Sequence, residues 1–80
     1  MERVNSELVN AFARVLTEAR TDAALTQEAL AERASISPRH VSYLENGDRQ
    51  PTLTVLLALS GGLGVPMSEL LRRVEAGLNK

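Results

Sequence analysis

The sequence contains no cysteine and no tryptophan, and Phe12 and Tyr43 are the only aromatic residues among its 80 positions. Without cysteine the chain can form neither disulfide bonds nor thiolate metal sites, which is typical of proteins from a reducing cytosol. With so few aromatic side chains, the core has to be built from Leu, Val, Ile and Ala. This composition favours helices over sheets, and we therefore predict an all-α domain.

Long apolar runs are also missing. No stretch approaches the length of a transmembrane helix, and the N-terminus does not have the pattern of a signal peptide. The hydrophobic fraction of 44% is ample for a packed core, and a chain of this size has room for one core only. We expect a single domain over residues 1–80, a cytoplasmic location and no membrane partner.

An excess of positive charge is absent as well, since the formal net charge is −1 and the isoelectric point is about 5.8. Proteins that bind nucleic acids are often basic overall, so this balance counts against that class. The argument is weak, because a local basic face is sufficient to meet phosphates. Nucleic acid therefore remains open as a partner.

Apolar residues at helical spacing indicate a first amphipathic helix over roughly residues 4–20. They are Val4, Leu8, Ala11, Phe12, Val15 and Ala19. A second helix is expected to begin at Thr26, whose hydroxyl can accept a hydrogen bond from an unpaired amide. Ser35 and Ile36 are expected to form the turn after it.

The third helix has the clearest start, because Ser37 is a good N-cap and Pro38 occupies the first helical position, where its missing N–H does no harm. The helix is expected to end near Asn46-Gly47. Val41 and Leu44 belong to its inward face. The side chains left outside this apolar stripe are Arg39, His40, Ser42 and Tyr43.

Two further helices are predicted, the fourth capped by Thr52 and the fifth beginning after Pro66. The glycines Gly61-Gly62 lead us to expect either fraying or a close contact near the end of the fourth helix. Both helices carry more apolar residues than so small a domain needs, and we expect the surplus to form the interface of a homodimer. The candidates are Leu57, Leu63, Val65, Met67, Leu71, Val74 and Leu78. The alternative is that all of them close the core of a monomer.

The segment from Thr26 to Pro51, TQEALAERASISPRHVSYLENGDRQP, resembles the phage repressor/Cro class of helix-turn-helix domains, the XRE-like family. The resemblance extends over about residues 8–71 and rests on TQEALA, a helix led by serine, LENG and a following proline in combination. It implies a compact five-helix lambda-repressor-like fold, with the helix-turn-helix over about residues 26–46 and dimerisation over about residues 53–78. The sequence departs from the family at Ser35, where a glycine is usual.

The resemblance also implies roles for individual residues. An ion pair between Arg20 and Glu45 is implied, joining the first and third helices. The positions that face DNA bases correspond to Pro38, Arg39, Ser42 and Tyr43, although packing remains an alternative for Tyr43. Phosphate contacts are implied for Gln27 and Asn46, and to these we add Thr26, Ser37, His40, Arg49 and Gln50 as further polar candidates.

We therefore predict a sequence-specific DNA-binding regulator of transcription without enzymatic activity. It would bind a palindromic operator as a homodimer, with the helix over about residues 37–45 in the major groove. No cofactor or metal is expected, because His40 is the only histidine and has no second ligand nearby. A controller protein, a Cro-type regulator and an antitoxin with a toxin partner remain open. So does a protein-interaction module that keeps the fold without binding DNA.

Overall fold

The computed structural model describes residues 2–78, with side chains from residue 5 onwards, and this part of the chain consists of five α-helices without a strand. The helices are α1 (Glu2–Asp22), α2 (Gln27–Ala34), α3 (Pro38–Glu45), α4 (Leu53–Leu63) and α5 (Met67–Leu78). The predicted five-helix, all-α fold is confirmed. The first helix extends two residues beyond the prediction at each end, and the Val4 side chain lies outside the described residues.

Hydroxyl caps fix where the three central helices begin. Thr26, Ser37 and Thr52 have extended backbone conformations, and each hydroxyl accepts a hydrogen bond of 3.0–3.1 Å from the backbone N–H three residues further on. Such a bond satisfies one of the amides that the first turn of a helix leaves without a partner. All three predicted caps are confirmed, and they place the first turns of α2 and α3 in defined positions.

The turn between α2 and α3 depends on Ser35, which has a left-handed backbone conformation with φ of +58°. A residue with a Cβ atom takes this conformation at a cost of about 1–2 kcal/mol. The turn is nevertheless closed, because the Ile36 N–H donates to the Ala31 carbonyl at 3.0 Å. The serine is therefore accommodated with the positive φ for which a glycine is usual.

All five helices contribute to one core. Helix α1 packs against α3 and α5, while α2 packs against α3 and α4. The largest fully buried side chains are Leu16, Leu30, Val41, Leu44, Leu59 and Leu70. Because Val41 and Leu44 anchor α3 from the inside, the opposite side of that helix is presented to solvent.

Gly62 allows α2 to approach α4 closely. A Cβ atom at this position would lie 3.1 Å from Leu30 Cδ1 and 3.2 Å from Arg33 Cβ. Arg33 Nη1 also donates to the Gly62 carbonyl at 3.3 Å. The helix continues to Leu63 and ends at Gly64, which has a φ of +71°. Of the two expected outcomes, the close contact is therefore the one observed.

The predicted dimer interface needs correction at two positions. Leu63 and Val74 are only 8% and 2% exposed within the single chain, so they belong to its own core. The apolar spacing of α4 and α5 could not distinguish burial by α1 and α2 from burial by a second copy. Val65 and Met67 are half-buried against the same core. Leu57 remains 59% exposed.

Within residues 2–78, no single helix is long and apolar enough to cross a membrane. Helices α4 and α5 reach the required length and composition only as a pair, and that pair is bent by 104°. The buried side chains of both helices, including Leu59 and Leu70, pack into the common core.

Candidate DNA-binding surface

The outward side of α3 carries the residues that the sequence predicted to face DNA bases. Pro38 and Arg39 are exposed, and Ser42 and Tyr43 are half-buried. Residues three or four positions apart lie on the same side of a helix, so Arg39 shares a face with Ser42 and Tyr43. This face combines a guanidinium near the start of a short, well-anchored helix with a hydroxyl and a phenol in its second half.

An ion pair connects the end of α1 to the end of α3. Arg20 Nε donates to Glu45 Oε2 at 2.6 Å, and Arg20 Nη2 donates to Glu45 Oε1 at 3.1 Å. The remaining terminal nitrogen, Nη1, donates to the Leu25 carbonyl at 2.8 Å. Hydrogen bonding to Glu45 raises the pKa of Arg20 above its ordinary value, although partial burial acts in the opposite direction. The pair offsets the negative charge that Glu45 would otherwise bring to the end of α3.

Gln27, the first residue of α2, is oriented by the same carboxylate. Its Nε2 atom donates to Glu45 Oε1 at 3.0 Å, a contact that the sequence analysis did not predict. A side-chain amide has two N–H groups, so one remains to donate to another acceptor, such as a phosphate. The residue at the predicted phosphate position is therefore held in place by the ion pair behind it.

The loop after α3 folds back on that helix. Gly47 has a φ of +76°, and the Asp48 N–H donates to the Tyr43 carbonyl at 2.9 Å. The guanidinium carbon of Arg49 lies 4.5 Å from the centroid of the Tyr43 ring. Asn46 Nδ2 lies 3.4 Å from Ser42 Oγ. The contact between Tyr43 and Arg49 was not predicted, because helical spacing says nothing about residues joined across a loop.

The other candidate phosphate contacts lie in the first turns of α2 and α3 and in the loop after α3. Thr26 and Ser37 lie at the N-terminal ends of α2 and α3, where each hydroxyl accepts a capping bond and keeps its own proton to donate. His40 is half-buried in the first turn of α3, and Gln50 is exposed in the following loop. Among residues 2–78 there is no group of three His, Cys, Asp or Glu side chains placed to hold a metal ion.

Two short helices joined by a tight turn, the second with an outward polar face, define a helix-turn-helix DNA-binding domain. Comparison with known families agrees with this class. The family model described as Helix-turn-helix matches residues 16–70. The chain therefore belongs to the helix-turn-helix family.

Its relatives are regulators. Control protein C.MunI from a Mycoplasma species is 37% identical over 60 residues, which cover 75% of this chain and 78% of the relative. The uncharacterized HTH-type transcriptional regulator y4dJ of Sinorhizobium fredii is 41% identical over 59 residues, covering 74% and 71%. Among solved structures, the crystal structure of the restriction-modification controller protein C.AhdI from Aeromonas hydrophila matches with a TM-score of 0.75. It is 32% identical in sequence, and the match covers 78% of this chain and 94% of C.AhdI. The chain is thus a transcriptional regulator of the helix-turn-helix type.

Proposed function

We propose that the protein is a sequence-specific regulator of the restriction-modification controller type, and that it reads DNA by placing α3 in the major groove. The observation that carries this proposal is the exposed Arg39 in the first turn of α3. The N-terminal residues of a recognition helix contact the base edges. There, the planar guanidinium can donate two hydrogen bonds to O6 and N7 of a guanine.

The charges around this face favour binding with few ionic phosphate contacts. Arg20 is paired with Glu45, and Arg33 is directed towards α4, where its Nη1 donates to the Gly62 carbonyl. Arg39 on α3 and Arg49 in the loop after it are the cations proposed to contact DNA. Neutral donors complete the proposed set of phosphate contacts, namely Thr26, Gln27, Ser37, His40, Asn46 and Gln50. We therefore expect a modest loss of affinity as the salt concentration rises.

A homodimer is the proposed binding unit, because one such domain contacts only a half-site of a palindromic operator. The support comes from the large apolar side chains that the single chain leaves uncovered. Leu53 is 76% exposed and Leu57 is 59% exposed, and their spacing of four residues places them on one side of α4. Leu71 on α5 is 42% exposed. We propose these three residues as the centre of the interface, with the half-buried Val65 and Met67 at its edge.

The experiment is the selection of duplex DNA from a random-sequence pool with the purified protein, followed by sequencing of the retained fraction. The expected result is an enriched palindrome whose half-sites are about one helical turn apart. In parallel, sedimentation equilibrium at micromolar concentration should give twice the mass of the chain. Failure to enrich any sequence would contradict DNA reading. An enriched single half-site together with a monomer mass would contradict the dimer only.

A second candidate function is a protein-interaction module, and it is favoured by the net charge of −1. In that case a toxin or other protein partner would bind the domain, as it does for an antitoxin. Purification of the protein from its native host distinguishes the two functions, because an antitoxin would be recovered with its partner in a fixed ratio. The family and the relatives are regulators, which supports a role without catalysis.

A further inference from the structure

The side chains of Tyr43 and Arg49 form a cation–π contact at the end of α3. The guanidinium carbon lies 4.5 Å from the ring centroid, well within the distance at which the negative face of an aromatic ring attracts a cation. The ring is half-buried at the surface of α3, whereas Arg49 is exposed in the loop. One face of the only tyrosine in the chain is therefore covered by a residue from outside its own helix.

The backbone of the loop brings the two residues together. Gly47 takes a positive φ, and the Asp48 N–H then donates to the Tyr43 carbonyl at 2.9 Å, so the chain turns back towards the ring. A Cβ atom on Gly47 would lie 2.7 Å from Asn10 Oδ1, so α1 adjoins the loop at this residue. The turn thus fixes the point from which the long, flexible arginine side chain leaves the backbone.

We infer that Tyr43 is a positioning residue that holds the Arg49 guanidinium ready for a DNA phosphate, and that it does not itself read a base. This inference rests on the proposed function. A free arginine side chain loses rotamer freedom when it binds, and holding it beforehand removes part of that loss. Stacking on a ring uses the face of the guanidinium and leaves its N–H groups free at the edge for a phosphate oxygen.

The position of the pair along α3 favours a phosphate over a base edge. Arg39 lies in the first turn of the helix, which penetrates deepest into the groove, whereas Arg49 lies beyond its C-terminal end. A side chain at that end is closer to the rim of the groove, where the phosphates are. With one ring face covered by Arg49, less of the Tyr43 ring is available for stacking on a base.

The contact can be tested first without DNA, by NMR spectroscopy of the whole protein. A proton above an aromatic ring is shifted upfield, so the Arg49 δ protons should resonate upfield in the wild type and in Tyr43→Phe. They should return to ordinary positions in Tyr43→Leu, which keeps an apolar side chain on α3. Ordinary chemical shifts of the Arg49 δ protons in the wild type would refute the contact, and this result does not depend on what the protein binds.

The positioning role is then tested with the duplex that the wild-type protein selects from the random pool. Tyr43→Leu should weaken binding about two- to five-fold, the size expected of an exposed cation–π contact, and Tyr43→Phe should bind like the wild type. In an Arg49→Ala background, Tyr43→Leu should cause no further loss. Thermal melts of each variant establish that the fold is kept.

Two results would overturn the inference while leaving the proposed function intact. If Tyr43→Phe loses as much affinity as Tyr43→Leu, the hydroxyl contacts the DNA directly. If the losses from Tyr43→Leu and Arg49→Ala add independently, the ring does not act through the arginine. A wild-type protein that selects no duplex would contradict the proposed function and the positioning role together, while the NMR shifts would still decide whether the contact exists.

Discussion

Arg20 and Glu45 lie 25 residues apart in the chain and are joined side by side through two hydrogen bonds of 2.6 and 3.1 Å. The Glu45 side chain is only 5% exposed, and it accepts a third hydrogen bond from Gln27. One carboxylate thereby connects the end of α1, the start of α2 and the end of α3. The angle between the two helices of the helix-turn-helix is supported by this contact as well as by the core.

The first prediction is that Arg20→Ala destabilises the fold by about 3–5 kcal/mol, because it leaves the buried carboxylate of Glu45 without its cation. Thermal and urea unfolding of the variant measure the loss. Arg72→Ala is the matched control, since it removes an arginine from an ion pair on the surface, where Arg72 is 66% exposed. The control should change stability little, because Glu69 is partly exposed to solvent and keeps its ion pair with Arg73. Equal effects of the two substitutions would contradict the role given to Arg20.

The neighbouring glycines of α4 should respond in opposite directions to alanine. A Cβ atom at Gly61 meets nothing within 4 Å, so Gly61→Ala should stabilise the protein by up to about 1 kcal/mol through helix propensity. At Gly62 the same atom would come within 3.1 Å of Leu30, and the resulting overpacking should outweigh that gain. Urea unfolding of the two variants gives the comparison. Equal stabilisation by both would show that α2 can move away from α4.

Stability at acid pH should depend in part on Glu69. Hydrogen bonds from Arg72 and then Arg73 lower the pKa of Glu69 from 4.5 to about 2. Because the pKa in the folded state lies below that in the unfolded state, the stabilisation is complete above about pH 4.5 and is lost as the pH falls towards 2. The difference in unfolding free energy between the wild type and Glu69→Gln should therefore shrink between about pH 5 and pH 2. A difference that stays constant over this range would show that the ionisation of Glu69 does not contribute to stability.

Arg39→Ala should weaken binding to the selected duplex by about 1–3 kcal/mol and relax the preference at one base pair of each half-site. The reason is the loss of two hydrogen bonds to a guanine edge. Arg14→Ala is a suitable control, because it removes the same charge from a residue outside α3. Arg14 lines a groove between α1 and α5. Repeating the selection with each variant measures both effects. A uniform loss at all sequences would assign Arg39 to the phosphates instead.

Replacing Leu57 by glutamate should dissociate the proposed dimer without unfolding the chain, because the side chain is already 59% exposed. In a twofold interface the substitution places two negative charges close together in an apolar contact. Sedimentation equilibrium of the variant should give the mass of one chain. Its melting temperature should stay near that of the wild-type protein at a concentration low enough for the wild type to be monomeric. A mass that remains twofold would move the interface away from α4.

Much of the fold could be predicted from local patterns. The caps at Thr26, Ser37 and Thr52 fix helix starts through bonds to amides three residues away, so the information lies within each short segment. The inward placement of Val41 and Leu44 likewise follows from helical spacing. The same spacing predicts which side chains of α3 lie outside the apolar stripe, whereas their contact with DNA bases was implied only by the resemblance to the phage repressor/Cro class.

Where the prediction failed, the missing information was tertiary. Leu63 and Val74 look like surplus apolar residues along the chain, and only the packing of α4 and α5 against the other helices buries them. The opposite holds for Leu53, which was left out of the predicted interface and is 76% exposed. Hydrophobic spacing identifies a buried face without saying which surface covers it.

The sequence by itself determined that this protein is a five-helix domain with a helix-turn-helix, because caps, turns and apolar periodicity act over a few neighbouring residues. The Arg20–Glu45 ion pair was implied by the resemblance, but only the tertiary structure decided how the other polar side chains are paired. Glu45 orients Gln27, and Tyr43 lies under Arg49, because separate helices and a loop bring these groups within hydrogen-bonding or stacking distance. Such contacts depend on how elements are placed in space, which no local pattern in the chain specifies.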